Sequence, residues 1–283
     1  MRKDKLTLVP KGGLTDRLKV IASAISLALE AETRMDIIWF SDERLYCPSY
    51  RLFTLDPMLE EAGIFIREAT AKDWFFNDLP QTGNGFLSYP FLFFRYDRCF
   101  SPKDIRSICE NGQEQLLSLF RGREHILISS ETSLGDHRNM FDLMKASVEV
   151  KNAFQSNISD WSDNVVGVHL DSCRKNDVCH HNPIELFIKR MQGMIEDDPS
   201  VSFFIASDMP EERERLSTVF AGRIFMPHTV SLLNTPKGCI NAFGELLALS
   251  QTKHILSTKG GSFSQVAALI GNISLETLSI YSE

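Results

Sequence analysis

The segment "STKGGSFSQ", residues 257–265, sets two glycines and several hydroxyl side chains between an apolar run and a helical pattern. Gly260, Gly261, Ser262 and Ser264 offer backbone and hydroxyl donors there and Lys259 offers charge, a set that suits a diphosphate at a helix N-terminus. "PKGGLTDRL", residues 10–18, repeats the device near the start of the chain. Gly12 and Gly13 let the backbone approach an anion, and Arg17, one turn into the helix, adds a charge-assisted bond. Each loop also reads as a tight strand-to-helix turn with no ligand. A third stretch, "VVGVHLDSCRKND" at 165–177, begins as a buried strand and ends as a polar loop with Asp171, Arg174, Lys175 and Asp177. Cys173, Cys179, His180 and His181 follow closely. Their spacing matches no common structural zinc pattern, and adjacent histidines seldom share one ion, so no metal site is expected.

The elements that position these loops alternate between two periodicities. "VVGVHL", "VSFFIAS", "RIFMP", "HILST" and "TLSIY" read as strands, and their near-continuous apolar character predicts burial on both faces of a parallel sheet. Between them lie helical patterns: "PIELFIKRMQGMIEDD", "PEERERLSTVF", "GCINAFGELLALSQ" and "SFSQVAALIG". Asn182, Pro183 and Glu185 form a start signal for the first of these. The N-terminal part begins in the same way, with strands "LTLVP", "MDIIWF", "GIFIRE" and "HILISS". Its first helix carries Leu14, Leu18, Ile21, Ile25 and Leu29 on one face. Further helices are expected at "RSICENGQEQLLSLF" and from about Arg138 to Asn157. Residues 41–102, rich in aromatics and turn formers, yield no assignment. The polar "QSNISDWSDN" reads as a linker between domains at 1–160 and 161–283.

Composition removes several functions. The formal net charge of -7 over 283 residues argues against a nucleic-acid partner, whose phosphates call for a basic surface. The start is basic but followed by too short an apolar run for a signal peptide, and "FLSYPFLFF" contains a proline and is too short for a membrane span. Six cysteines without a C-x-x-C pair fit reduced thiols, so a cytoplasmic protein is expected.

Three pieces in order, "GGLTDRLKVIASAISLALE", "VVGVHL" with "NPIELF", and "TKGGSFSQVAALIG", resemble the fucosyltransferases of the nodulation-enzyme and α-1,6-fucosyltransferase group. The resemblance implies an α/β, GT-B-like fold, two Rossmann-like domains facing across a cleft. The N-terminal domain would lie on the acceptor side, and the C-terminal domain would bind the nucleotide sugar. It implies transfer of fucose from GDP-fucose to a glycan or glycoconjugate acceptor without a metal; the GDP-sugar is the donor substrate, and no separate cofactor is implied. By position, Gly12, Gly13 and Arg17 would line the cleft. His169 stands at the histidine of the family's motif, Asp208 at the nucleotide side, and Gly261, Ser262, Ser264 and Gln265 at the diphosphate. Asp208 and Ser262 read equally as helix caps.

The chain departs from the pattern in two places: the family's Gly-Asn-Arg at the first loop stands here as Thr15, Asp16 and Arg17, and a charged position after the β-strand motif changes. The family's strand is followed by His-x-Arg-Arg-Thr-Asp, whose arginine grips the leaving diphosphate; here Asp171, Ser172, Cys173 and Arg174 follow His169 and Leu170. Loss of an arginine–phosphate contact costs on the order of 3 kcal/mol. Arg174 is the candidate substitute, with Lys175 behind it; the opposing reading pairs Arg174 with Asp171 or Asp177 in solvent. His180, His181, Asp171 and Asp177 are candidate general bases by proximity. A non-catalytic relative that binds a nucleotide or glycan is the alternative. A dinucleotide-binding enzyme is disfavoured because "PKGGLTDRL" lacks the three-glycine fingerprint.

Overall fold

The computed structural model describes residues 5–76, 94–122, 124–135, 138–171, 184–227, 231–258 and 260–278. The chain divides into two compact units, Met1–Ser147 with Leu233–Pro236, and Val148–Leu232 with Lys237–Glu283.

The first unit runs β1 (Lys5–Pro10), α1 (Leu14–Glu30), β2 (Arg34–Trp39), α2 (Ser49–Leu52), β3 (Phe53–Leu55), α3 (Pro57–Glu61), β4 (Ile64–Glu68) and α4 (Ala71–Phe76). It continues with β5 (Arg98–Phe100), α5 (Pro102–Asn111), α6 (Gln113–Arg121), β6 (Ile126–Ser130), a 3-10 helix at Arg138–Leu143 and β7 (Met144–Ala146). Five strands form one parallel sheet in the order β4-β2-β1-β6-β5. The central strands are apolar on both faces because helices cover both, as their sequence predicts. Helix α1 is buried beyond the expected face: Val20, Ala22, Ala24 and Ala28 are enclosed as well, while Leu29 is only half-buried. Small residues on its second face let it sit in a crowded position.

The second unit runs α7 (Val148–Ile158), β8 (Val165–Leu170), α8 (Ile184–Asp197), β9 (Ser202–Ser207), α9 (Pro210–Val219) and β10 (Ile224–Phe225). Helix α10 (Pro236–Ser250), β11 (His254–Thr258), α11 (Ser262–Gly271) and β12 (Ser274–Leu278) complete it. Its sheet is also parallel, ordered β10-β9-β8-β11-β12. Val166, Val168 and Leu170 of β8 pack with Phe203 and Ile205 of β9 and with Phe187 and Met191 of α8 into one apolar core.

Several expectations from the sequence need correction. The helix expected over 138–157 is a 3-10 turn, then β7, then α7, because Met144–Ala146 pairs antiparallel with β3, and that pairing overrides helix propensity. The segment from Arg106 to Phe120 is two helices broken at Gly112. The last strand starts at Ser274 rather than Thr277; as an edge strand it needs less apolar character. The division between units falls after Ser147 rather than at 160, since α7 belongs to the second unit and "QSNIS" ends that helix. Asn182 and Pro183 lie outside the described residues.

The packing of α7 on α10 turns on Gly244. A methyl group there would lie 2.8 Å from the Ala153 Cβ and 2.9 Å from the Phe154 amide nitrogen. In an open helix Gly→Ala stabilises, but here the added atom forces the helices apart. Gly244→Ala is therefore expected to lower stability by about 1–3 kcal/mol in chemical denaturation. An unchanged or raised stability would show that α7 is not held against α10.

Candidate functional site

Each sheet sends its chain outward from its first strand and then returns to that strand's other side, between β1 and β6 in the first unit and between β8 and β11 in the second. Open α/β sheets bind ligands outside the carboxyl ends of the strands at such switch points. Both glycine loops picked out in the sequence lie there.

The loop after β1 is closed on itself. The Lys11 amide donates to the Ser130 carbonyl at 2.7 Å, and the Lys11 ammonium lies 4.7 Å from the centre of the Phe40 ring. Gly12 takes a φ of +91°, a turn that only glycine adopts without strain. The Asp16 carboxylate reaches back to the Gly13 amide at 3.3 Å and so occupies the positive pole of α1. Arg17 is fully buried. Its Nε donates to the Gly12 carbonyl at 2.9 Å, a terminal nitrogen donates to the Phe40 carbonyl, and the other pairs with Asp42 at 2.7 Å. The guanidinium also stacks over Trp39, 4.9 Å from its ring centre. Expected in the sequence to line a cleft, Arg17 sits inside as a brace that ties the glycine turn to the end of β2. Asp16 and Arg17 together make this loop a finished structure.

The loop at the β8/β11 switch point differs in kind. Gly260 has a φ of +84°, and Gly261 precedes α11, whose first turn holds no acidic residue. The first amides of a helix point out from its N-terminus, a pole that favours an anion. His169, next to last in β8, is 7% exposed and stacks on Phe263 with ring centres 5.1 Å apart. Its Nδ1 is buried and makes no hydrogen bond among the described residues. A Cβ on Gly261 would stand 3.3 Å from that atom and 3.1 Å from the Ser264 Oγ, so a side chain there would crowd the histidine. Burial pushes the His169 imidazole down to about 4, the Asp208 carboxylate opposing weakly, and the ring is neutral near pH 7.

The other expected residues divide. Ser264 is enclosed, its hydroxyl donating to the Gly261 carbonyl at 3.0 Å and lying 2.6 Å from the Ser257 hydroxyl, so it shapes the loop from within. Ser262 is half-buried as the first residue of α11, and Gln265 is exposed one turn end further on. Neither helix-cap reading holds: Met209 and Gly261 occupy the cap positions, with no side-chain cap at either. Asp208 stands exposed at the end of β9. Asp171 is half-buried, its amide 3.4 Å from the Thr258 hydroxyl across the switch point. Lys259, Arg174, Lys175, Asp177, His180 and His181 lie outside the described residues, as do Cys173 and Cys179. Among the described residues no three His, Cys, Asp or Glu side chains gather as a metal site.

Sequence reasoning passed over Glu245. It is 6% exposed in the middle of α10 and accepts from the Ser231 hydroxyl at 2.5 Å. Burial pushes its carboxyl up to about 7, against the Ser231 hydrogen bond and the charge of buried Arg213, whose guanidinium donates to the Pro227 carbonyl. The signal was available: apart from Lys237 it is the one charge in an otherwise apolar helix.

Two measurements follow from these environments. Arg17→Ala leaves two carbonyls and Asp42 without their partner, and denaturation should register a loss of about 3 kcal/mol or more; a loss near zero would remove the brace. Glu245 binds its proton more tightly folded than unfolded, so it favours the folded state at low pH, and that contribution is lost as pH rises from 4.5 towards about 7. At about 1.4 kcal/mol per pH unit the loss approaches 3 kcal/mol. Glu245→Gln should flatten the stability profile across that window, and an unchanged profile would show that the carboxyl is not buried in this way.

No family model matches the sequence, and no curated protein does. Solved structures do. One, the NodZ α-1,6-fucosyltransferase soaked with GDP-fucose, superposes with a TM-score of 0.63 at 15% identity over 95% of this chain and 93% of that one. A structure of NodZ from Bradyrhizobium gives 0.62 at 16% identity, over 95% and 94% of the two chains. POFUT1 in complex with GDP-fucose gives 0.58 at 10% identity, over 98% and 99%. The likeness is one of fold: two parallel five-stranded sheets with the architecture of GT-B fucosyltransferase structures.

Proposed function

We propose that the protein is a GT-B glycosyltransferase whose second unit holds the nucleoside diphosphate of an activated sugar, GDP-fucose, at the β8/β11 switch point. The acceptor is a glycan or glycoconjugate, and the reaction uses no metal. The observation that carries this reading is the buried Nδ1 of His169 beside Gly261, which has no hydrogen-bond partner among the described residues. A buried ring nitrogen without a partner costs on the order of 1–3 kcal/mol, a cost that a ligand atom bonded there removes. The N-terminal pole of α11, whose first turn carries no acid, supplies the complementary field for the diphosphate. Fold likeness to structures holding GDP-fucose supports that sugar nucleotide as the donor.

In this reading the acceptor hydroxyl attacks the anomeric carbon, the bond to the diphosphate oxygen breaks, and GDP leaves towards α11. Arg174, with Lys175, supplies the positive charge that the family places nearer the strand. The proton goes to a base drawn from His180, His181, Asp171 and Asp177. The free thiols of Cys47, Cys99, Cys109 and Cys239 fit a reducing, cytoplasmic setting. None of the described helices is long and apolar enough to cross a membrane. A second reading has support from Asp171, a half-buried acid where the family carries arginine. In that reading the site binds a nucleotide without transferring sugar.

Calorimetry with GDP, UDP and GDP-fucose tests the site. His169→Phe keeps the stack on Phe263 and removes only the nitrogens, and it should weaken GDP binding about tenfold or more. A bound diphosphate raises the pKa of His169 from about 4, so binding takes up a proton and tightens as pH falls from 7 towards 5. Unchanged affinity in His169→Phe would displace the site. Tight GDP binding with no release of GDP from GDP-fucose in the presence of glycans would select the non-catalytic reading.

A further inference from the structure

The two faces of β8 are packed differently. Val166, Val168 and Leu170 turn into the apolar core with α8, so Gly167 and His169 turn to the opposite face. There a Cβ on Gly167 would stand 2.9 Å from both the Leu249 Cδ2 and the Thr252 Oγ1, so α10 lies close against the strand. Two residues on, His169 meets α11 instead. The Phe263 ring lies on the imidazole with 20° between their planes and 5.1 Å between their centres. Phe263 is half-buried in the first turn of α11, and His169 beneath it is 7% exposed. The Nδ1 edge of the imidazole lies by Gly261, where a Cβ would come within 3.3 Å of it. A large apolar ring stands out among Gly260, Gly261, Ser262 and Ser264. In a turn suited to an anion it adds neither a side-chain donor nor charge. Its stack on His169 gives it a task there.

We propose that Phe263 is a positioning residue that fixes the plane of the His169 ring and keeps water off its face, so that a nucleoside diphosphate at the α11 pole meets the Nδ1 edge in one orientation. The choice of ligand rests on the transferase reading above; the control of the imidazole by Phe263 does not. Two effects act through the stack. The first is order: a ring already held in place loses little freedom when a ligand bonds to it. The second is protonation. Burial holds the His169 imidazole down at about 4, and the charge that opposes it is Asp208 at the end of β9. The first turn of α11 carries no acid, the described end of β11 offers the hydroxyls of Ser257 and Thr258, and Asp171 follows two residues on from His169. A ring kept neutral in the empty site takes up a proton when a diphosphate raises its pKa. Affinity then gains about tenfold per pH unit between the bound and free pKa values.

The test compares the full chain with Phe263→Leu, Phe263→Ala and Phe263→Tyr. NMR follows the imidazole Cε1–H of His169 without ligand, the resonance that is missing from His169→Phe. Calorimetry measures GDP affinity from about pH 8 to about pH 5, and melting temperatures come from the same preparations. Leucine keeps the apolar bulk without the ring, so it decides the matter if the alanine variant melts early. In the unmutated chain and in Phe263→Tyr, His169 should stay neutral down to about pH 5. In Phe263→Leu and Phe263→Ala, where water reaches the ring, it should titrate nearer its ordinary 6.5. GDP affinity at about pH 8 should fall about three- to tenfold in those two variants. Its gain on acidification should flatten below about pH 6, because the ring is charged before the ligand arrives. The proposal is overturned if His169 titrates alike in all four proteins, or if Phe263→Leu lowers the melting temperature and leaves GDP affinity and its pH profile unchanged. A chain that binds no GDP in any form defeats the donor assignment, and the NMR titration then decides alone whether Phe263 governs the ring. Tight GDP binding with an unmoved His169 titration would spare the donor assignment and overturn the role of Phe263.

Discussion

Parallel strands cannot be joined by a tight turn; each needs a crossover, and crossovers of one hand carry the chain steadily outward from its first strand. To use the other side of that strand, the chain must come back, and where it does the loops on either side part company. Both sheets meet this constraint, beside β1 and beside β8. The return between β1 and β6 places Lys11 against Ser130 and leaves Gly12 and Gly13 at the opening. That between β8 and β11 brings the end of the His169 strand to the Gly260–Gly261 turn. The positions of both candidate loops are consequences of strand order before any side chain acts.

Side chains then give the two openings opposite electrostatic fates. A helix N-terminus is an unsatisfied dipole, and the nearest carboxylate claims it. In α1 that carboxylate is the chain's own Asp16, and the strongest cation nearby, Arg17, is consumed by carbonyls and by Asp42. In α11 the first turn has hydroxyl and aromatic residues only, and the hydroxyl of Ser264 turns inward. Burial keeps His169 neutral, and its Nδ1 has no hydrogen-bond partner among the described residues. Glu245 shows the same low-polarity environment from the side of an acid. Residue type at the helix start, an acid at Asp16 against none in the first turn of α11, separates the two loops.

Much of the fold was legible because buried parallel strands and amphipathic helices write different periods into the chain. The strands at Val165–Leu170 and Ile126–Ser130 and the helices after each glycine loop needed no tertiary information. Legibility failed where a distant partner decides. Met144–Ala146 is a strand only because Phe53–Leu55 lies beside it. The role of Arg17 was misread for a related reason. A charged residue one turn into a helix looks solvent-facing, and nothing local discloses that Phe40 and Asp42 converge on it. Glu245 could have been found, since one acid in an apolar helix needs an explanation. The exposure of the aromatics of 41–102 could not, because it depends on how distant residues such as Trp39 and Leu233 hold the chain beside them.

The edge strand β4 has an evolutionary consequence. Arg67 and Glu68 are consecutive on it, so their side chains leave on opposite faces, one to Asp73 of α4 and the other to Ser49 of α2. Substitutions at either can be compensated singly. An insertion or deletion of one residue within β4 cannot, for it would exchange the faces and release both partners at once. Strand β4 should therefore drift in sequence while holding its length, with gaps among relatives collecting in the turns on either side of it.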